Sequence, residues 1–372
     1  LVTNTTGSHN VAVGQDALFT NNANYNTAIG VNAMYYTSTG YENTVVGYSA
    51  LETNSTGHTN TAIGFKALEA NTTANGNTAC GAYALYVNTT GTENSAFGKS
   101  ALGANIDGNY NCAFGREALR LNTGGGENCA FGYEALEANT TGGGNIAIGY
   151  EALAANTTGG QNIALGHSAL MTQSGDTQNI AIGHEALKVC IGSKNVALGY
   201  RAGYDVTTGH EQTLIGYSAG ANITTGRSNV IVGYEAGTTL TDGTYNTAVG
   251  YEALRSSVSG NHNVAIGQGA LRDGTGARNT AVGQTSQRYR TGGDNNVSLG
   301  QEAGRGASSA APATGDNNTS IGRGAHEDIQ GGSLNTAVGR EAHRECSTGD
   351  NNTCIGNSAG RSSSPSGTLN NE

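Results

Sequence analysis

The sequence is poor in proline, tryptophan and charge. It has 2 Pro and no Trp among 372 residues, and 12% of its residues are charged, about half the share usual in soluble domains. Glycine is abundant, with 59 residues, but collagen would need a three-residue glycine period and much more proline. Disordered chains combine high net charge with few apolar residues. These absences indicate an ordered structure of another kind.

Several classes of partner are disfavoured by what is missing. The net charge is −10, and phosphate binding needs a basic surface, so we expect no nucleic acid partner. No apolar run approaches the roughly 20 residues of a membrane span, so we expect no membrane insertion. Residues 1–186 carry a net charge of −9 and residues 187–372 carry −1. This asymmetry favours head-to-tail association of chains.

A 17-residue repeat accounts for nearly the whole chain. Its consensus is N-x-A-I-G-x-E-A-L-x-x-N-T-T-G-x-x, numbered below as positions 1 to 17, and its position-5 glycine recurs 21 times between Gly14 and Gly356. Seventeen residues cannot bury a core alone, so each copy is expected to be one coil of a stacked solenoid. The N-T-T-G segment breaks a helix, whereas N-x-A-I-G alternates like a strand. We predict one all-β domain over 1–372, a parallel β-solenoid of about 21 coils.

The predicted core lies at position 4. This position is apolar in all 21 copies, and the alternation places it on the face opposite positions 1, 3 and 5. Position 8 is Ala in all copies but one, which indicates a close approach across a thin coil or to another chain. Position 9 is Leu or Met until Leu187 and then loosens to Gly and His, which predicts a change of packing near residues 187–194. The predicted core residues include Phe97, Phe114, Phe131, Ile148, Leu165 and Ile182.

Asparagine recurs at two fixed positions. Position 1 is Asn in 20 copies, and position 12 is Asn in eight early copies. Parallel strands stack about 4.8 Å apart, and identical Asn side chains at that spacing can hydrogen-bond in a ladder. The predicted ladder residues are Asn111, Asn128, Asn145 and Asn162 at position 1, and Asn122, Asn139 and Asn156 at position 12.

The strand segments resemble those of a known family. The strings Val11-Ala12-Val13-Gly14, Val196-Ala197-Leu198-Gly199 and Val264-Ala265-Ile266-Gly267 resemble the YadA-like head repeats of trimeric autotransporter adhesins. The N-T-A-I-G-Y-E-A-L strings are also similar to repeat segments of phage and algal-virus fibre proteins. The resemblance implies a left-handed parallel β-roll with one repeat per coil and three chains side by side.

No unique catalytic constellation is present, because nearly every polar residue recurs in register. We predict no catalytic residue, no metal and no cofactor. The eight His are expected at surface or turn positions, and the Glu row at position 7 is expected to be a solvated face rather than a Ca²⁺ site. The Tyr row at position 6 fits packing against a partner chain, or a partly exposed ladder, better than a sugar site. Cys112 and Cys129 occupy position 2 of adjacent coils, where free buried thiols are favoured over a disulfide.

These observations predict a non-catalytic structural subunit of a fibre or filament on a cell surface, on a virion surface or elsewhere outside the cell. It would assemble with itself through lateral and end-to-end contacts, as a homotrimer or a head-to-tail filament, and no polar capping segment is seen in the sequence. The alternative is an adhesin or receptor-binding rod that recognises a host glycan or protein through the irregular segments 187–194, 304–317 and 324–334. An ice-binding Thr row at position 2 is disfavoured, because the row turns apolar from Ile146 onward.

Overall fold

The chain is built from short parallel strands joined by turns. The computed structural model describes residues 4–307, 313–345 and 348–361. These residues form 21 strands of three residues each and no helix. The contacts divide the chain into unit 1, Leu1–Glu185, and unit 2, Ala186–Glu372. The boundary lies beside residues 187–194, where the sequence predicts a change of packing, and a single domain over 1–372 stays a prediction.

Unit 1 contains eleven strands in its described residues, and each of the first ten pairs in parallel with the next strand along the chain. The register is strict, as in the pairing of Cys112, Ala113 and Phe114 with the three residues 17 positions later. The strands are β1 (Val11–Val13), β2 (Thr27–Ile29), β3 (Thr44–Val46), β4 (Thr61–Ile63), β5 (Thr78–Cys80), β6 (Ser95–Phe97), β7 (Cys112–Phe114), β8 (Cys129–Phe131), β9 (Ile146–Ile148), β10 (Ile163–Leu165) and β11 (Ile180–Ile182).

Unit 2 repeats the same architecture with ten strands in its described part. They are β12 (Val196–Leu198), β13 (Thr213–Ile215), β14 (Val230–Val232), β15 (Thr247–Val249), β16 (Val264–Ile266), β17 (Thr280–Val282), β18 (Val297–Leu299), β19 (Thr319–Ile321), β20 (Thr336–Val338) and β21 (Thr353–Ile355). An isolated parallel bridge joins Gly306 to Ile329. Residues 308–312, inside the predicted irregular segment 304–317, lie outside the described residues. Both units are parallel β-solenoids, which confirms the predicted fold class.

Each coil turns at residues with positive φ. Gly149, at position 5, has φ +138°, and a Cβ atom there would lie 2.5 Å from the carbonyl oxygen of Gly166 in the next coil. Only glycine fits this close approach of stacked backbones. Glu151 and Leu153 follow with φ of 52° and 56°. These residues occupy the left-handed region despite its cost for residues other than Gly, so burial and stacking must stabilise the tight turn after each strand.

The core lies at positions 3, 8 and 9, not at position 4. In the ninth coil Ala147, Ala152 and Leu153 are fully buried, whereas Ile148 is 42% exposed. The prediction of a position-4 core is therefore wrong for the single chain. A coil of 17 residues is so thin that the small Ala of position 3 faces inward, beside the Leu of position 9. The bulkier residue at position 4 of the same strand therefore lies on the outer surface. Of the predicted core residues, Phe131, Ile148 and Ile182 are exposed, and Phe97, Phe114 and Leu165 are partly exposed.

Unit 2 redistributes the apolar volume of the core. Position 9 becomes Gly in three consecutive coils, at Gly203, Gly220 and Gly237. The lost volume is supplied by larger buried residues at position 3, such as Leu214 and Ile231, and by apolar residues in place of Asn at position 12. A Cβ atom at Gly203 would lie 2.7 Å from Cδ1 of Leu214. The packing change predicted near residues 187–194 has this physical basis.

The corrected core predicts unequal effects of two truncations in one coil. Leu153→Ala should lower the free energy of unfolding by about 2–5 kcal/mol, because it leaves a cavity in a fully buried site. Ile148→Ala should cost about 1 kcal/mol or less in the isolated chain, because its side chain already contacts solvent. Chemical denaturation of dilute monomer measures both values. If Ile148→Ala lost more unfolding free energy than Leu153→Ala, position 4 would belong to the core of the single chain after all.

Candidate functional site: the outer strand face and the buried polar ladders

The first and third residues of every strand point away from the core. These residues, at positions 2 and 4 of each repeat, are named the outer strand face. The face carries no charged residue in any of the 21 copies, and position 4 is always apolar. Between Cys112 and Ile182 both of its rows consist only of Cys, Ile, Leu and Phe. Contiguous exposed apolar surface of this kind marks an interaction site.

Aromatic side chains stack along the outside of the coils. The rings of Phe97, Phe114 and Phe131 lie parallel on the outer strand face, with centroid separations of 4.4 and 4.7 Å. At position 6, Tyr200, Tyr217, Tyr234 and Tyr251 form a second column with separations of 5.1, 5.0 and 5.3 Å. The tyrosines of this column are exposed, so it presents a row of amphipathic side chains to solvent.

Cys112 and Cys129 lie directly opposite each other in β7 and β8. Both are free thiols. They are partly exposed on the outer strand face rather than fully buried. Partial burial raises the pKa of both thiols, which keeps them protonated at neutral pH. They contribute to the apolar character of the face.

A ladder of position-1 asparagines runs through the interior of unit 1. Asn128 is buried, and its Nδ2 donates to Oδ1 of Asn111 at 3.1 Å and to the carbonyl of Gly142 at 2.9 Å. Its Oδ1 accepts from the backbone N–H of Asn145 at 3.0 Å. Asn145 and Asn162 repeat the pattern. Each side chain therefore ties its own coil to the coils on both sides.

The position-12 asparagines form a second buried ladder. Nδ2 of Asn139 donates to Oδ1 of Asn122 at 2.7 Å, and Nδ2 of Asn156 donates to Oδ1 of Asn139 at 2.9 Å. The ladder stops at Asn156, whose Oδ1 lacks a partner, because Gln173 takes position 12 in the next coil. Asn139 and Asn156 each begin an N-x-Thr sequon, but complete burial prevents their use as glycan acceptors.

The position-7 glutamates pair with arginines in parts of the solenoid. In unit 2, Arg255 lies 3.0 Å from Oε2 of Glu235 and 2.9 Å from Oε1 of Glu252. Within the described residues no cluster of three or more His, Cys, Asp or Glu is placed to hold a metal ion. Ion pairs that are open to solvent contribute at most about 1 kcal/mol each, so this row modifies the surface more than it stabilises the fold.

A buried polar column replaces the Leu core near the end of unit 2. His326 and His343 occupy position 9 and are 0% and 1% exposed. Both lie in turns, as one of the two expectations has it, but neither is on the surface. Nδ1 of His326 lies 2.8 Å from Oγ of Ser320, and its Nε2 lies 2.7 Å from Nδ1 of His343. Position 9 had already departed from Leu in the sequence, and this was the signal for an altered interior.

The buried column also contains an arginine. Arg290 stands at position 12, is fully buried and donates through Nη1 to the carbonyl of Gly315. Burial lowers the pKa of Arg290 to about 10. Burial, together with the positive charges of His343 and Arg290, lowers the pKa of His326 to about 3, and burial also lowers the pKa of His343. Both imidazoles are therefore neutral in the folded protein at physiological pH.

The described residues present an extended apolar face and buried polar ladders. Comparison with known protein-family models and with curated protein sequences finds no match to this chain. No helix in the described part of the chain is long and apolar enough to cross a membrane. The outer strand face is the feature with the greatest capacity for interaction, because its apolar character extends over many consecutive coils.

Removal of one ladder residue should destabilise the coils on both sides of it. Asn128→Ala leaves the backbone N–H of Asn145 without its acceptor, and each buried donor left unpaired costs about 1–3 kcal/mol. Hydrogen exchange of the Asn145 amide should become faster, and the free energy of unfolding should fall. The exposed neighbour Glu127→Ala serves as control, with an expected change within about 0.5 kcal/mol. Equal effects of the two variants would contradict a structural role for the ladder.

The histidine column predicts acid sensitivity of unit 2. The unfolded histidines take up protons below their ordinary pKa of about 6.5, whereas folded His326 does so only near pH 3. The stability that neutral His326 contributes is therefore fully present above about pH 6.5 and is lost as the pH falls from about 6.5 to about 3, by up to about 1.4 kcal/mol per pH unit. His343, whose pKa is also lowered by burial, changes stability in the same direction. Hydrogen exchange over residues 318–345, measured from pH 7 to pH 4, should show progressive loss of protection.

The matched variant replaces both histidines by Leu, the residue found at position 9 in most coils of unit 1. His326→Leu with His343→Leu should flatten the acid response of residues 318–345 and leave that of unit 1 unchanged. The same loss of protection in this double variant would assign the acid response to other groups.

Proposed function

We propose that this protein is a non-catalytic structural subunit of an extracellular or surface fibre. In this proposal copies of the chain associate side by side through the outer strand face. The single observation that carries the proposal is the complete absence of charge from 42 outward-facing strand positions, in a chain that places charged residues at other exposed positions of the coil. Soluble surfaces normally intersperse charges of both signs.

A second copy of the chain is the partner that fits this face best. The face repeats with the spacing of the strands, about 4.8 Å, over every coil of a unit. Only a surface with the same period can keep its side chains in phase with it over many coils. Another copy supplies that period, and repeated apolar contacts then add up along the interface.

The resemblance to YadA-like head repeats supports three chains in the assembly and a location outside the cell. In that arrangement the apolar residues at positions 2 and 4, among them Phe131 and Ile148, would lie between the chains. The bulky residues that a thin coil cannot enclose would then be buried by association. The internal polar groups support a structural role as well, because the Asn side chains are engaged in ladders and are not presented to a substrate.

Charge introduced on the outer strand face should prevent assembly. Ile148→Asp with Leu165→Asp puts two carboxylates on adjacent coils, and their desolvation in an apolar interface is strongly unfavourable. Light scattering should give an oligomer of the 37.6 kDa chain for the unmodified protein, with a trimer as the expected state. The double variant should give the monomer mass.

The control also carries new charge on two adjacent coils, one of them the coil of Ile148, but away from the face. Thr141→Asp with Thr158→Asp changes exposed turn residues at position 14 and should leave the oligomer intact. A monomer mass for the unmodified protein at high concentration would contradict the proposal. So would an oligomer that both double variants leave unchanged, since it would then be held by another surface.

A further inference from the structure

A polar groove lies on unit 1, and none of the residues that line it belongs to the outer strand face. It has a volume of about 390 Å³, within the range of small-molecule sites. It runs over four coils, from Tyr110 at one end to Gln161 at the other, along the turn that precedes the strands. Three glycines open it at positions 16 and 17, namely Gly126, Gly143 and Gly144.

These glycines are not required by the backbone. Gly144 has φ +70°, but Tyr110 and Gln161 adopt φ of 59° and 60° at the same position 17 of their own coils. Every other copy except the one with Gly76 carries a side chain at this position. The glycines at position 16 have no positive φ. Their effect is to leave a gap in rows of side chains that are otherwise nearly continuous.

The gap exposes a row of unsatisfied backbone donors. In several coils an Asn, Asp or Ser side chain at position 16 accepts the N–H of position 16 in the preceding coil, as Oδ1 of Asn109 does from Thr92 at 2.7 Å. Oδ1 of Asn261 accepts from Thr244 in the same way, also at 2.7 Å. In the groove this acceptor is missing, because the residues that would supply it are glycines.

Three consecutive amides are affected, those of Asn109, Gly126 and Gly143. None of them has a hydrogen-bond acceptor among the described residues of the protein. Their spacing follows the coils, at about 4.8 Å. A ligand in the groove could therefore place acceptor oxygens on successive amides.

The walls supply complementary groups. Tyr110 is 63% exposed and stacks on no other aromatic ring in the described part of the chain, unlike Tyr25 and Tyr245 at the same position in other coils. Its ring is an open apolar platform with a polar hydroxyl at the tip. Glu127 and Gln161 flank the gap at Gly144 and offer a carboxylate and an amide for hydrogen bonding to hydroxyl groups.

We propose that this groove binds a neutral oligosaccharide that lies along the solenoid axis. Sugar hydroxyl and ring oxygens would accept from the row of amides, hydroxyl hydrogens would donate to Glu127, and the C–H face of one sugar ring would stack on Tyr110. An anionic ligand is disfavoured because Glu127 lines the groove and because residues 1–186 carry a net negative charge, with 13 acidic and 4 basic residues. The inference does not rest on the proposed assembly, since the groove uses positions 16 and 17 rather than 2 and 4.

The test is isothermal titration calorimetry of the full chain with four neutral tetrasaccharides, those of cellulose, amylose, chitin and β-1,4-mannan. Tetragalacturonate serves as the anionic probe. At least one neutral probe should bind. Gly144→Gln, which fills the gap, and Tyr110→Ala, which removes the platform, should each weaken that binding about tenfold or more, as expected for the loss of one or two polar contacts or of one stacked ring.

Two further variants separate the groove from general effects. Gly143→Asn supplies the missing acceptor for the Gly126 amide and should also weaken binding about tenfold. Gly76→Gln makes the same change as Gly144→Gln four coils away and should leave the affinity unchanged. Binding of none of the neutral probes, stronger binding of tetragalacturonate, or affinities insensitive to the groove variants would overturn the proposal. Light scattering of the same samples reports assembly separately.

Discussion

Stacking of identical coils in strict register is the constraint on which the rest of the structure depends. Strands of only three residues cannot hold a sheet together alone, so most backbone hydrogen bonds join one coil to the next. The Asn ladders extend this rule to side chains, since Asn128 bonds to Asn111 on one side and to Asn145 on the other. A residue at a given position therefore contacts the residue at the same position of the next coil. A substitution in one coil consequently alters the hydrogen bonds and packing of the adjacent coils.

The thin coil determines which residues can be inside. Its interior holds Ala from two positions and Leu from a third, as Ala147, Ala152 and Leu153 show. In unit 1 the other bulky apolar residues of the strands, such as Phe131 and Ile148, lie on the outer strand face, where they need another surface. In this account the limited core of one chain and the apolar exterior have a single cause, and association of copies completes the burial that one coil cannot achieve.

The sequence predicted the repeat, the coil and the ladders, because these depend on periodicity and on the hydrogen-bonding capacity of Asn. It misassigned the core, since alternation separates two faces of a strand but does not say which one is inside. The constant Ala at position 8 is the sequence feature that fits a narrow interior, whereas an apolar residue at position 4 is compatible with either face of the strand. The sequence did not predict the groove, because Gly126, Gly143 and Gly144 look like ordinary turn residues in it. They form a groove lined by unpaired amides only when their coils stack.

The central claim is that the outer strand face is buried between copies of the chain. Cryo-electron microscopy of the unmodified protein at high concentration tests it most directly. The account predicts particles in which several chains run side by side, with Phe131 and Ile148 directed toward the shared axis. Particles one chain wide, with these side chains in solvent, would contradict it, as would assemblies in which the strands face outward.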